Sequence, residues 1–394
     1  MLYVQYTIYM IARLFSMFRE RRTFNAISHR FGLYVIPLFY LLNRSIYLIK
    51  IKKTLYKDQE QNDKILIQRL FLFYKNMKSQ SFNNVFISSS LWDKHLSESF
   101  SDLEKALIYN DIDRFHFFLE NFGSWHTYTG VENSSMIHEM NKNPLKRVYL
   151  KRLFYSYLKI WSAISTDKSI ERLSYPTFGN QSGAYIRNNF IGIGSFFSDY
   201  YGNFLKSTVE HFDRPVVCEI GGGYGKLAYF TLRDLSKSVY IDFDLPEVLC
   251  LAAYYLMKCW PDKNVLLFGE GDLNCESIHN FDLIFMPPSE IEKMPNDSVD
   301  LLINTTSLGE MPAEVANCYI VHVNRIAMNF FSMNHEYFRN EFAQESFSLL
   351  GSEYAIDLDR FKLVFYYPDL GHMIYGGKIN LSSDIFVRYY TRRL

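Results

Sequence analysis

Cysteine is scarce and unpatterned in this chain of 394 residues. Five cysteines, at 218, 250, 259, 275 and 318, form no C-x-x-C and no Cys/His pair at zinc-finger spacing, which excludes a zinc finger or ribbon. An odd, unframed set does not make a disulfide scaffold and fits a reducing, cytoplasmic compartment. Cys218 and Cys250 lie in apolar runs and read as core thiols. Net charge is also lacking: 42 Lys and Arg balance 42 Asp and Glu, whereas a nucleic-acid binder carries a basic excess or stripe. No charged N-terminal region leads to a small-residue cleavage site, so no signal peptide is read. Clustered carboxylates for a catalytic metal are missing as well. Asp297 and Asp300 read as turn residues, and no metal is expected. There is no internal repeat and no low-complexity segment.

Apolar residues make up 48% of the chain, enough for one large domain with an appendage or for two domains. Phe and Tyr number 34 and 30. Compositional bias accounts for that abundance, and no base-stacking platform is read from it. Charge is uneven only in residues 1–60, where ten Arg and Lys oppose Glu20, Asp58 and Glu60, a net +7. The stretches 3–18 and 33–49 are rich in Leu, Ile, Phe and Tyr. Pro37, Asn43 and Arg44 interrupt the second, and a spanning helix needs about 20 apolar residues. Two readings stay open for this basic, aromatic segment: a helix lying peripherally on an anionic membrane surface, or an element packed on the protein itself or on a partner.

Residues 61–170 show helical periodicity and read as a helical domain or lid. Ser101 suits an N-cap, with Glu104 at the capping-box position ahead of Ala106 and Leu107. A second helix starts at Asp111, carries Phe115, Phe118 and Leu119, and is expected to end at Gly123. A third follows Pro144 and aligns Leu150, Leu153, Tyr157 and Trp161. Trp92 and Trp125 read as core or lid residues. Residues 174–205 mix glycine, asparagine and aromatics and are expected to form an ordered region folding over the following motif. From about 210, short apolar runs alternate with helical segments: PVVCEI, VYIDFD, NVLLFG, FDLIFM, VDLLIN and AMNFFSM as strands. That alternation predicts an α/β domain over 171–394, a mostly parallel sheet covered on both faces. KLVFYY and the end of the chain add antiparallel edge strands.

VVCEIGGGYGKL (216–227) places a glycine-rich turn between a buried strand and a helix. Backbone N–H groups point outward at such a junction, and missing Cβ atoms let a ligand come close. Gly221, Gly223 and Gly225 form G-x-G-x-G, with Gly222 between them, and not the G-x-G-x-x-G of dinucleotide enzymes. Glu219 precedes them. A carboxylate there suits the α-amino group and sulfonium of S-adenosylmethionine (SAM) and repels a pyrophosphate. Asp244, nineteen residues after Gly225, ends the next strand, where a carboxylate accepts the ribose hydroxyls of an adenosyl group. Asp242 is the alternative, and an N-cap role before Pro246 explains either one without a ligand.

The motifs E-I-G-G-G-Y-G (219–225) and D-L-P-E (244–247) resemble class I SAM-dependent methyltransferases. With N-T-T-S-L-G-E-M (304–311) and F-F-S-M-N (330–334), the resemblance is to the sugar O-methyltransferase family and covers about 170–380. It implies a Rossmann-like fold, SAM as cofactor, a sugar or glycan hydroxyl as acceptor, and cofactor contacts at Leu245 and Asn304. The adenine contact falls either to Asp272 or, if FDLIFM is the third strand of the unit, to Ser289. Methyl transfer to an alcohol needs an aligned oxygen and a base for its proton. Glu310, after the strand VDLLIN, is the first candidate; the F-D-L-P tetrad (243–246) resembles that of plant-type small-molecule O-methyltransferases, and this resemblance places a His in nearly that position. His335 is the second, Asn334 could orient a sugar hydroxyl, and His372 could reach the same cleft. Two other classes compete: a NAD-dependent oxidoreductase, which the glycine spacing and Glu219 disfavour, and a non-catalytic methyltransferase-fold scaffold.

Overall fold

The computed structural model describes residues 49–54, 62–80, 86, 88–124, 137, 140–235, 237–343, 346–369 and 384–393. The readings on residues 1–48, on Trp125 and on His372 fall outside these residues.

Six strands run parallel: β4 (Val216–Ile220), β5 (Val239–Phe243), β6 (Val265–Leu267), β7 (Leu283–Met286), β8 (Leu301–Thr305) and β9 (Asn329–His335). They join β10 (Phe361–Pro368) and β11 (Ile385–Arg392) in one sheet of order β10-β11-β9-β8-β4-β5-β7-β6. β11 is antiparallel to β9, and β10 to β11. The sequence VVCEI is buried at every position of β4, and VYIDF at every position of β5. Such unbroken burial is what a parallel strand covered on both faces requires. The expected Rossmann-like α/β architecture is therefore present. β7 pairs with β5, through Tyr240 and Leu283, and β6 lies outside it on the sheet edge. NVLLFG is thus the outermost strand, and FDLIFM is the neighbour of β5.

Ten α-helices of six residues or more are described: α1 (Asn62–Ser79), α2 (Ser90–Ser99), α3 (Ser101–Ile108), α4 (Ile112–Glu120), α5 (Pro144–Ile164), α6 (Ser195–Val209), α7 (Lys226–Leu232), α8 (Pro246–Cys259), α9 (Cys275–Asn280) and α10 (Ala313–Ile326). α8 is apolar nearly all round, and every residue from Glu247 to Met257 is buried. A helix of that kind needs cover on its outer side as well as beneath. α1 supplies it: Lys258 meets Asp63 at 2.8 Å, Lys78 meets Glu247 at 2.9 Å, and the Tyr74 hydroxyl donates to Glu247 at 3.1 Å. α1, α3 and α4 thereby share the core of the large sheet.

A second core lies apart. Strand β1 (Lys50–Lys53), the end of the basic N-terminal stretch, pairs antiparallel with β2 (Ser182–Ile186), which pairs with β3 (Asn189–Ile191). α5 packs Leu150, Phe154 and Trp161 into the same cluster as Ile51 and Ile186. Among the described residues, no helix is long and apolar enough to cross a membrane.

Three local expectations are corrected. Ser101 is the first residue of α3 and not its cap; Phe100 precedes the helix and makes no side-chain cap. α4 starts next to Asp111, which caps it, but it ends at Glu120, and Gly123 lies beyond it in a 3₁₀ turn. Gly123 serves close packing there, since a Cβ would meet Gln181 Cγ at 2.6 Å. Residues 174–205 do not fold over the glycine turn. They form the β2–β3 hairpin and most of α6, none of them lines the cleft, and Gln181 accepts the Tyr224 hydroxyl at 3.2 Å.

Candidate functional site

The chain leaves β4 toward β5 and later returns to β4's other side with β8, so the strand order reverses there. Open α/β sheets bind ligands at the carboxyl ends of strands at such a reversal. A cleft of about 290 Å³ opens at that place, between the glycine turn, the end of β5 and the turn after β8.

The glycine turn supplies the floor. Gly221, Gly223 and Gly225 have φ of +75°, +61° and +84°, left-handed values that favour glycine. Three backbone donors of the turn bond to the end of β5. Gly221 N–H donates to the Phe243 carbonyl at 2.9 Å, Gly222 N–H to Asp242 Oδ1 at 3.2 Å, and Gly223 N–H to Asp244 Oδ2 at 3.1 Å. Gly221, Gly222, Gly223, Asp244 and Leu245 all line the cleft. Gly225 does not; it caps α7 and presses on Leu256.

Beneath the floor three carboxylates gather. Glu219 and Asp242 are register partners on β4 and β5; both are buried, and Glu219 accepts the Tyr240 hydroxyl at 2.9 Å. Asp242 Oδ2 is buried without a hydrogen-bond partner. Burial pushes Glu219 up to about 8, against the bond from Tyr240 and with the charge of Asp244. Burial likewise pushes Asp244 up to about 7, although Leu245 and Gly223 N–H groups oppose it. Asp242 is driven upward by burial, then by Asp244 and Glu219. No Lys or Arg is among the described residues lining the cleft. The set has room for a cation and repels an anion.

The wall is built from β8 and from α2. Ser307 donates to the Ile220 carbonyl at 2.8 Å and occupies the space a Cβ on Gly221 would take. The 3₁₀ turn Ser307–Glu310 brings Glu310 into the cleft. The indole N–H of Trp92 donates to Glu310 Oε2 at 3.1 Å. Burial raises the Glu310 carboxyl, while Trp92 and the charge of His335 pull it back. Phe86, Ser88 and Ser89 complete that side of the cleft.

Several predicted residues lie elsewhere. Asn304 is buried under the turn: its amide donates to the Ile220 carbonyl at 2.8 Å and accepts from Asn334 at 2.8 Å. Asn334, also buried, accepts the Gly309 N–H at 3.1 Å and donates to Ser332 at 3.0 Å. Neither faces the cleft, so Asn334 has no group free to orient a hydroxyl. Asp272 is exposed beyond the edge strand β6. Ser289 follows β7 on the cleft side of the sheet, but its neighbour Pro288 makes the lining. His335 stands behind the 309–310 turn, with Nδ1 against Asp384. Sequence reasoning missed Ser307, Asp384 and the contact of Trp92 with Glu310.

No protein-family model matches this chain, and no curated protein matches it. Similar solved structures include magnesium protoporphyrin IX methyltransferase from Synechocystis PCC 6803 with bound SAM, at 13% identity over 50% of this chain and 78% of that one, TM-score 0.33. Mitomycin 7-O-methyltransferase MmcR covers 64% of this chain and 70% of its own at 10% identity, TM-score 0.33. The N-terminal domain of EvdMO1, solved in the presence of SAH and D-fucose, covers 50% and 83% at 7% identity, TM-score 0.33. Likenesses this distant carry no argument about ligand or reaction. The fold is read from the sheet order, and the chemistry from the cleft.

Proposed function

We propose that this chain is a class I SAM-dependent methyltransferase that methylates a hydroxyl of a sugar or glycan, with Glu310 as the base. The observation that carries the reading is the trio Glu219, Asp242 and Asp244 under a glycine cradle, with one buried carboxylate oxygen unpartnered. A ligand bearing a sulfonium and an ammonium relieves the repulsion among those acids. A pyrophosphate adds to it, which counts against the nicotinamide alternative.

In this reading Gly221–Gly223 hold the amino-acid end of SAM, Asp244 takes the ribose hydroxyls, and the Pro288–Ser289 turn flanks the adenine. When bound, SAM supplies a methyl group on an already activated carbon. The protein's task is then to align the acceptor oxygen and take its proton. Glu310 suits the second task because burial raises its proton affinity toward neutral pH. Trp92 holds one carboxylate oxygen and leaves the other toward the acceptor. The sugar assignment rests on the motif resemblance, and the polar lining residues Ser88, Ser89 and Thr305 are compatible with it.

Two measurements test the reading. Calorimetric titration should show binding of SAM and none of NAD. Incubation with methyl-labelled SAM and a cell-derived glycan fraction, followed by mass spectrometry, should give a product heavier by one methyl group on a sugar. Binding of NAD in place of SAM, or SAM binding with label on no glycan, overturns it.

A further inference from the structure

We propose that α2 is a lid on the cleft, latched by the hydrogen bond from Trp92 to Glu310, and that protonation of Glu310 during turnover loosens this latch. The inference rests on Glu310 acting as the base. α2 runs between two buried aromatics. Phe86, ahead of it, packs edge-on against Tyr319 of α10 at 5.1 Å. Phe100, at its end, is buried and meets Phe118 of α4 at 5.9 Å. Between these anchors no residue of α2 is fully buried, and Trp92 and Leu96 are its half-buried contacts with the main core. A helix that buries so little opens at low cost, as a lid must.

Two hydrogen bonds tie α2 to the sheet half. Ser90 Oγ accepts the Ala343 N–H at 3.0 Å, and the Trp92 indole donates to Glu310 Oε2 at 3.1 Å. Trp92 and Glu310 both line the cleft, together with Ser88 and Ser89, so the second tie closes the space in which an acceptor meets the base. The two ties differ in what controls them. The Ser90 bond joins neutral groups. The Trp92 bond ends on the carboxylate that changes charge, and a hydrogen bond to an ionised group is roughly twice as strong as one between neutral groups. The titratable groups around the latch are few. On α2, Asp93 is bonded by Ser88, and His95 lies edge-on to Trp92 at 6.1 Å. On the other side stand Asp244 at the floor, His335 behind the turn and Tyr319 on α10.

As the acceptor oxygen bonds the methyl carbon, the C–S bond breaks with its electron pair left on sulfur, and the hydroxyl proton passes to Glu310. The carboxyl is then neutral, the indole bond weakens, and α2 lifts to release the methylated product. Loss of the proton to water restores the carboxylate and the latch.

Hydrogen exchange read by mass spectrometry on the ligand-free full chain tests the latch. Glu310→Gln keeps an oxygen for the indole and removes the charge, as protonation does. Exchange in α2 should rise about tenfold in this variant, with β4 and α8 unchanged. Trp92→Phe should raise it at least as much, and adding Glu310→Gln to Trp92→Phe should change nothing further. Ser90→Ala breaks the neutral tie, and its rise should add to that of Glu310→Gln. Unchanged α2 exchange in Glu310→Gln, or a Glu310→Gln effect that persists in full on top of Trp92→Phe, overturns the latch. A rise in α2 exchange with wild-type kcat for labelled methyl transfer in Glu310→Gln removes Glu310 as the base and overturns the link to turnover, a failure distinct from that of the latch.

Discussion

At the floor of the cleft three carboxylates meet a glycine backbone; at its wall one carboxylate meets an indole. The floor is contiguous in sequence: 219–225 and 242–245 are two strand tips side by side. One of its carboxylate oxygens is buried without a partner, and its turn depends on left-handed backbone. The wall joins distant pieces, with Trp92 and Glu310 standing 218 residues apart, and its single acid already has a donor. The floor is thus a set of acids that burial holds toward the neutral form, while the acid of the wall already has a hydrogen-bond donor. Perturbing the two should give different phenotypes, binding in one case and rate in the other.

The largest effect should come from the floor. Gly223→Val puts a β-branched side chain at φ +61°, in the surface the ligand must approach. SAM affinity measured by calorimetry should fall more than about a hundredfold. Unchanged affinity would move the cofactor site elsewhere. Next, Glu310→Gln should lower kcat by about 10²–10⁴ while the SAM Kd stays within a few fold, which would separate wall from floor; an equal loss in both would merge them.

The third prediction concerns pH. Asp242, Asp244 and Glu219 have carboxyl pKa values raised by burial, Asp244 to about 7 and Glu219 to about 8. A raised carboxyl stabilises the fold below its unfolded value, near pH 4, and that contribution is lost as pH rises through the folded value. The ligand-free protein should therefore lose thermal stability between about pH 4 and 8. SAM should raise Tm more at pH 8 than at pH 6, because it meets the ionised acids. Thermal scans with and without SAM read this directly, and a SAM-induced rise that is independent of pH would contradict the charge argument. The smallest effect is Trp92→Phe. Losing the indole donor removes a bond that lowers the Glu310 pKa, so the acid limb of kcat should move to higher pH with a change in rate of only a few fold.

The floor was legible because each of its signals is local. The glycine spacing, the acid before it and the Asp at the next strand tip occupy 26 consecutive positions, 219–244, and physical reasons attach to each residue. Two turns stayed open in the sequence; with β7 beside β5, Pro288 lines the cleft, while Asp272 lies beyond the edge strand β6. The wall resisted for the opposite reason. Nothing in SLWDKH says that Trp92 lies over the turn after β8, and Asp384 reaches His335 through the antiparallel pairing of β11 with β9. Asn304 and Asn334 misled because strand-end asparagines can serve a ligand or a neighbouring carbonyl. Here each spends its amide on the other and on the backbone.

The enclosed helix α8 has a consequence for how the protein can be divided. It follows Asp244 directly, and its outer face is sealed by α1 through Tyr74, Lys78 and Asp63. Cutting the chain near 170 would leave the sheet half with a bared greasy rod, sticky toward other copies and unanchored at the very segment that aims the adenosyl-side carboxylate. The helices before residue 121 and the sheet that follows therefore share one core, and a truncation at 170 should aggregate where the full chain does not.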